Sequence, residues 1–400
     1  MKSIDLQLYL KGKGADVSLR PEIKFPEKII KYYKKPDNFY TLKYRAEPES
    51  LDFIYSGNGI NDTKFHRILI KEWLYACRPG GHIIIKMRQN FLLSFKELVK
   101  EAGITMQDKG KIIETQFNSE KKEGLIIIRK EKKMLEKGDK MGYWSFGIIS
   151  DGRRRKWVEK EIESIAALKI SNYEIIICGA YKGKKYEHIR IIPFAAEDTT
   201  KLGANKNAIC ENARYGNIVV THDKYIFHKD WYKGMKKYGN YFEVLSCVIL
   251  EKDGKRSGDW LSYGKKWKNI PDNGKLEYRD WDIHGYIGGG FNILKKSVWR
   301  KVKWDDSLGL NDGDDVILSQ GFHNKGFVPR FNPYSKCQIL LMKRILGGNY
   351  KFNERRLGKL INRPLIYRLW YINKVIKRHL FNIDPVAWKI YNYLFKPKNS

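Results

Sequence analysis

A short β-branched run ending in a polar knot, Ile218-Val-Val-Thr-His-Asp-Lys224, constrains this chain more than any other stretch. Such a run reads as a strand, and its His-Asp-Lys end delivers Asp223 to a sheet edge where a cation or phosphate could sit. About ninety residues further on, Gly313-Asp-Asp-Val316 places two adjacent acids before an apolar helical run. Two separated carboxylates suit a reaction on a phosphorylated donor: one holds a metal on the diphosphate and the other takes a proton from the incoming nucleophile. Each has a plainer reading. Asp223 also suits a strand-end turn, and acids at a helix N-terminus are favoured by unpaired N–H groups and the helix dipole.

Length and composition bound the answer. Four hundred residues with 42% apolar content suffice for two or three folded domains of α/β class. The formal charge of +32 implies an anionic partner, whether nucleic acid, an anionic membrane surface or a phosphorylated substrate. Five cysteines, odd in number and never in a C-x-x-C pair, suggest neither a disulfide framework nor a zinc site, and reduced thiols in a cytoplasmic protein fit best. The start of the chain lacks a continuous apolar segment, and no stretch approaches the roughly 20 apolar residues that span a bilayer. Neither classical export nor integral membrane insertion is expected.

Six elements occur in a telling order: Phe146-Gly-Ile-Ile-Ser-Asp-Gly152, Glu174-Ile-Ile-Ile-Cys-Gly179, Leu202-Gly-Ala-Asn-Lys-Asn-Ala208, the Asp223 strand, Gly288-Gly-Gly290 and Gly313-Asp-Asp315. From about 142 to 335 the chain resembles the family-2-like GT-A glycosyltransferases. The resemblance implies transfer of a sugar from a nucleotide-sugar donor, with inversion, to a glycan or lipid-linked acceptor in surface polysaccharide or glycolipid synthesis. It assigns Asp315 as the base that deprotonates the acceptor, with Asp314 in support. Asp223 corresponds to the last acid of a D-x-D motif and would bind Mn²⁺ or Mg²⁺, for which oxygen ligands are suited. His222 stands where the family has a further acid, and Lys224 adds a positive charge that could itself neutralise phosphate.

Further donor contacts are expected from Lys206 and Asn207, at the position of an Arg-Asn pair opening a helix, and from Ser150 and Asp151 at the end of the first strand. Arg153-Arg-Arg-Lys156 reads equally as a solvated charge run. The acid that often ends the second strand is replaced by Cys178-Gly179, which leaves the nucleotide unassigned. Gly288, Gly289 and Gly290 permit a tight turn against sugar and acceptor. His284 suits positioning better than metal binding, since no second ligand lies at a useful spacing. Trp281 suits either a sugar face or the core.

The segments on either side differ in character. Residues 1–130 have their own α/β rhythm, with strands at Ser50-Leu-Asp-Phe-Ile-Tyr55 and Gly81-His-Ile-Ile-Ile-Lys86, a helix over 63–76 and a turn at Arg78-Pro-Gly-Gly81. This order resembles the second half of a class I methyltransferase, a Rossmann-like fold, and Lys11-Gly-Lys-Gly-Ala-Asp-Val17 resembles its opening strand. That family's glycine-rich cofactor turn is replaced by Ser18-Leu-Arg-Pro21. Glycine serves there because the backbone must reach positive φ and approach the ligand closely, so a degenerate domain without adenosylmethionine is expected.

Residues 131–141 read as a charged linker. The tail, 336–400, is basic: from 338 onward about 14 Lys and Arg face Glu354 and Asp384. At helical spacing Leu365, Leu369, Trp370 and Ile376 oppose Arg368, Lys374 and Arg378. This suits a cover for the core, or an amphipathic helix on an anionic membrane that makes the protein peripheral on the cytosolic face. Nucleic-acid binding, with the N-terminal segment as a methyltransferase remnant, is the competing function, although no nucleic-acid motif is visible.

Overall fold

A computed structural model describes residues 4–18, 29–60, 63–89, 93–184, 186–197, 200–262, 275–309 and 313–340. The tail helix expected beyond residue 340 lies outside the described residues. The fold is mixed α/β, organised around two large sheets and a two-stranded ribbon.

The first sheet contains β1 (Gly14–Asp16), β2 (Ile29–Lys31), β3 (Leu51–Gly57), β4 (Cys77–Arg88), β5 (Gly110–Asn118) and β6 (Glu123–Lys130), in the order β2-β1-β3-β4-β6-β5. The first four strands are mutually parallel, and the β5/β6 hairpin closes the sheet with antiparallel pairing. Helices α1 (His66–Ala76) and α2 (Phe95–Met106) pack beside it. Ser94 opens α2 with a capping box, its hydroxyl taking the Glu97 N–H while Glu97 reaches back to the Ser94 N–H. One turn expected from sequence is absorbed into a strand. Arg78-Pro-Gly-Gly81 lies inside β4 as an irregularity, where the register with β3 jumps from Cys77 to His82.

The second sheet has eight strands: β7 (Tyr143–Asp151), β8 (Asn172–Ala180), β9 (Ile189–Ile192), β10 (Asn217–His222), β11 (Tyr225–Phe227), β12 (Val244–Leu250), β15 (Phe291–Lys295) and β16 (Pro329–Ile339). Their order is β11-β16-β12-β15-β10-β7-β8-β9. β7 to β10 are parallel, and β15 runs antiparallel against β10. Strands β13 (Leu261–Ser262) and β14 (Gly285–Tyr286) form the ribbon. β16 continues through Ile339, so residues 336–339 belong to this sheet and not to the tail.

Both faces of this sheet are covered, as parallel strands rich in Ile and Val require. On one face Trp144, Phe146, Ile148 and Val219 pack with Val158 and Ile162 of α3 (Arg155–Ala166) and with Trp231 of α5 (Trp231–Tyr238). On the other, Ile176, Ile218 and Val220 pack with Ile209 of α4 (Leu202–Asn212), in a core continuous with that of the first sheet. α6 (Lys296–Lys301) and α7 (Asp314–Asn324) complete the helices used below.

The seam between the two sheets is polar as well as apolar. Arg330, at the start of β16, is 4% exposed and donates to Glu72 Oε1 at 3.0 Å, to the Asn38 carbonyl at 2.8 Å and to the Tyr40 carbonyl at 2.9 Å. Glu72 is 1% exposed and its other oxygen takes the Leu42 N–H at 3.1 Å. Lys71 meets Glu243 at 2.6 Å, and Arg67 donates to the His323 carbonyl at 2.7 Å. Gly326 sits so close to α2 that a Cβ would lie 1.8 Å from the Ile104 carbonyl oxygen, and its φ of +77° already favours glycine.

Breaking a buried pair strands the remaining charge at a cost of about 3–5 kcal/mol. Glu72→Ala is therefore expected to lower stability by that order in urea unfolding followed by tryptophan fluorescence. A loss below about 1 kcal/mol would show that Arg330 finds water or another acceptor at no cost.

Candidate functional site

The ends of β7 and β10 define the site. From β7 the chain proceeds through β8 to β9 on one side, then crosses by α4 to β10 on the other. The crevice outside the carboxyl ends of β7 and β10 is a topological switch point, where open α/β sheets bind ligands. Ser150 and Asp151 end β7, and Asp223 directly follows β10.

Asp223 is 4% exposed and fully engaged. Arg154 Nη1 donates to its Oδ1 at 2.8 Å, the Ser150 hydroxyl lies 3.5 Å from its Oδ2, and its own N–H reaches the Ile149 carbonyl. Burial raises the Asp223 carboxyl above its ordinary range, opposed by the hydrogen bond and charge of Arg154. Arg154 lies at 5.4 Å over the Trp157 ring and keeps 39% of its side chain exposed. Asp151 is taken by Arg153, through both its backbone N–H (2.9 Å) and its guanidinium (2.7 Å), which holds the carboxyl below the usual range. Ser150 accepts the Gly152 N–H at 3.1 Å, so its hydroxyl serves the turn as well as Asp223.

Beneath this edge lies Glu161 of α3, fully buried. It accepts from the Thr221 hydroxyl at 2.7 Å and the Tyr225 N–H at 3.4 Å, and burial pushes its carboxyl well above the usual range. A buried, hydrogen-bonded acid thus braces the β10 end. Its sequence signal is an acid within the apolar stripe Val158, Ile162, Ile165.

The second half of the site is built on α7. Gly313 enters the helix in the left-handed region, and Asp314 and Asp315 form the first turn. Asp314 pairs with Lys206 of α4 at 2.6 Å, and that lysine is 1% exposed. Asp315 is partly buried and takes the N–H of Gly289 at 3.1 Å and of Val316 at 2.9 Å. Its carboxyl is pushed up to about 6, by burial first and by repulsion from Asp314 second, against the charge of Lys206. Desolvation is the larger cause and the adjacent acid the smaller.

Gly288-Gly-Gly290 joins the halves: the His222 N–H donates to the Gly290 carbonyl at 3.2 Å while Gly289 holds Asp315. A Cβ on Gly289 would lie 3.3–3.4 Å from Asp315, Asp314 and Lys206, tighter than side chains normally pack.

Other expected contacts are placed elsewhere. Lys206 is committed to Asp314 instead of standing open to a diphosphate. Asn207 lines no ligand face, because its amide donates to the Trp304 carbonyl and Asp306 and accepts from Trp299 Nε1 and the Trp304 N–H. Trp281 is core, 2% exposed, with Nε1 donating to the Pro329 carbonyl at 3.1 Å, which leaves no open ring face for a sugar. His284 is partly buried, its imidazole lowered by burial, and it neighbours His323 of α7, whose Nε2–H donates to the Gly285 carbonyl at 2.9 Å. His222 and Lys224 flank Asp223 at the strand end, and the charge of Lys224 favours its ionised form.

The donor set at Asp223 does not fit a divalent cation as it stands. It offers one carboxylate whose oxygens both face protein donors, and among the described residues no group of three His, Cys, Asp or Glu could hold a metal ion.

No protein-family model matches the chain, and no curated protein does. Among solved structures it is similar to GalNAc-T7 with UDP, GalNAc and Mn²⁺, at 10% identity and a TM-score of 0.38, over 54% of this chain and 47% of that one. It is similar also to S. aureus TarS 1-349, at 10% identity and a TM-score of 0.35 over 58% and 78% of the two chains. The complex of TarS 1-349 with UDP-GlcNAc gives 9%, 0.36, 64% and 76%. The chain thus spans about half the length of the GalNAc-T7 chain.

The Asp315 environment has a consequence independent of any substrate. A folded-state value near 6 exceeds the unfolded value of about 4, so the fold binds the extra proton and loses stability as pH rises from about 4 to 6. Asp315→Asn removes this loss. The stability of Asp315→Asn relative to the parent should therefore improve by on the order of 2 kcal/mol between pH 4 and pH 8. Parallel stability profiles for the two proteins in chemical denaturation would count against the raised value.

Proposed function

We propose that this protein transfers a sugar from a nucleotide-sugar donor to a hydroxyl acceptor with inversion, Asp315 acting as the general base. The observation that supports the reading most is the placement of Asp315: a carboxyl raised to about 6, held by backbone N–H groups beside a glycine loop, at the switch-point end of a parallel sheet. The sequence resemblance to GT-A enzymes supplies the reaction class. Asp315 takes the acceptor proton as the acceptor oxygen attacks the anomeric carbon and the nucleoside diphosphate departs from the opposite face. Asp314 and Lys206 form a fixed pair that sets the electrostatics of this base. The expected Mn²⁺ or Mg²⁺ at Asp223 enters no step, because that donor set does not fit it.

Residues 1–130 act in this reading as a degenerate methyltransferase-like unit that buttresses the transferase segment, 142–335, through a linker at 131–141. At its own strand ends the Ser18 hydroxyl accepts the Gly57 N–H at 2.7 Å, tying β1 to β3. Calorimetry of the full chain with adenosylmethionine is expected to show no binding, and a dissociation constant in the low micromolar range would restore a second activity. The basic tail and the charge of +32 support, from sequence alone, a peripheral attachment to an anionic cytosolic membrane face beside a glycan or lipid-linked acceptor.

Screening nucleotide-sugars for thermal stabilisation and then for transfer or hydrolysis identifies the donor. Asp315→Asn should keep donor affinity and lower turnover by roughly 10²-fold or more. Turnover should rise with pH through an acid limb near 6, where Asp315 loses its proton. Lys206→Met should move that limb upward, since the lysine charge favours the carboxylate. Asp315→Asn activity within twofold of the parent removes Asp315 from the mechanism. Tight, steeply salt-dependent binding of arbitrary nucleic acid without nucleotide-sugar turnover would favour the competing function instead.

A further inference from the structure

The edge of the crevice carries a fixed cation where a bound metal was expected. Arg154 lies between β7 and α3, as the residue just before the helix, its Nη1 2.8 Å from Asp223 and its guanidinium over Trp157 at 5.4 Å. It is thus oriented from two sides while 39% of its side chain still meets solvent. The neighbouring Asp151 is already taken by Arg153, and the charge of Lys224 also acts on Asp223.

We infer that Arg154, positioned by Asp223, is the built-in cation that receives the diphosphate of the donor, so that donor binding in this protein needs no divalent metal. The inference rests on the glycosyl-transfer reading and specifies how that site holds its leaving group. A guanidinium suits the task because its planar N–H fork can serve a carboxylate and a phosphate at once, and its charge does not depend on pH. Asp223 is then a positioning residue: it aims the fork and keeps it from swinging into solvent. No bond to phosphorus is made or broken at Arg154; the guanidinium neutralises the departing diphosphate, whose bond to the anomeric carbon breaks as the acceptor bond forms.

The test is calorimetry of the full chain with UDP and with inorganic pyrophosphate as probes, each in EDTA and again with Mg²⁺ or Mn²⁺. In the unmutated protein affinity should agree within about twofold across these conditions. Arg154→Met should weaken binding in EDTA by roughly tenfold or more, about the value of one charge-assisted contact. Because that variant frees the Asp223 carboxylate, added Mn²⁺ should now recover part of the affinity, a metal response that a merely structural role for Arg154 would not create. Arg154→Lys, which keeps the charge without the fork, should fall between. Melting temperatures of the variants establish that each is folded, and the EDTA comparison on the unmutated chain stands even if one is not. Binding that requires metal in the unmutated protein overturns the inference and leaves the glycosyl-transfer reading intact. No binding of either probe under any condition overturns both.

Discussion

Everything in this fold hangs on a guanidinium buried where the two sheets meet. Arg330 has a carboxylate and two backbone carbonyls around it, and it starts the strand that follows α7 directly. The partners Glu72, Asn38 and Tyr40 all belong to the first unit, so the segment leaving α7 is fixed by the other half of the molecule. Arg67 holds the far end of the same helix through the His323 carbonyl. A buried charge is poor evidence of stability, but several partners converging on one guanidinium do specify a single docking geometry. The helix that presents Asp314 and Asp315 therefore inherits its position from residues more than two hundred places earlier in the chain.

That dependence gives the first unit a structural role. Gly326 against the Ile104 carbonyl leaves no room for even a methyl group, which makes the contact between the α7 end and α2 a matter of backbone fit. Lys71 with Glu243 extends the seam to β12. The first unit thus helps to fix the helix that carries Asp314 and Asp315.

Much of the scaffold was legible in sequence for simple reasons. Ile-rich runs at 81–86, 174–179 and 218–220 are buried strands, and Asp314 and Asp315 open a helix as acids before an apolar run do. What escaped was pairing across long separations. Periodicity places Arg154 in a charge run and says nothing of Asp223, 69 positions away. Asn207 and Trp281 had the right types for ligand contact, yet both are consumed by groups of segments that sequence cannot bring alongside them. The Arg78-Pro-Gly-Gly81 turn failed for a related reason: two glycines permit a turn but also permit an irregular strand, and pairing with β3 decided between them.

The two halves of the crevice surround their acids differently. Asp223 and Asp314 each lie within 2.8 Å of a cation, Arg154 or Lys206, so their charge is matched directly. Asp315 receives only backbone N–H groups, and Lys206 reaches it as a field from beyond Asp314. A carboxylate matched by a cation is a fixed element of the electrostatics, whereas one held by neutral dipoles beside a like charge binds its proton more tightly. On the glycosyl-transfer reading Asp315, raised to about 6 and set beside the glycine loop, is the acid fitted to exchange a proton. In a chain with 77 basic and 45 acidic side chains, Asp315, like the buried Glu161, is held by neutral donors, and of the two it is Asp315 that sits against the glycine loop.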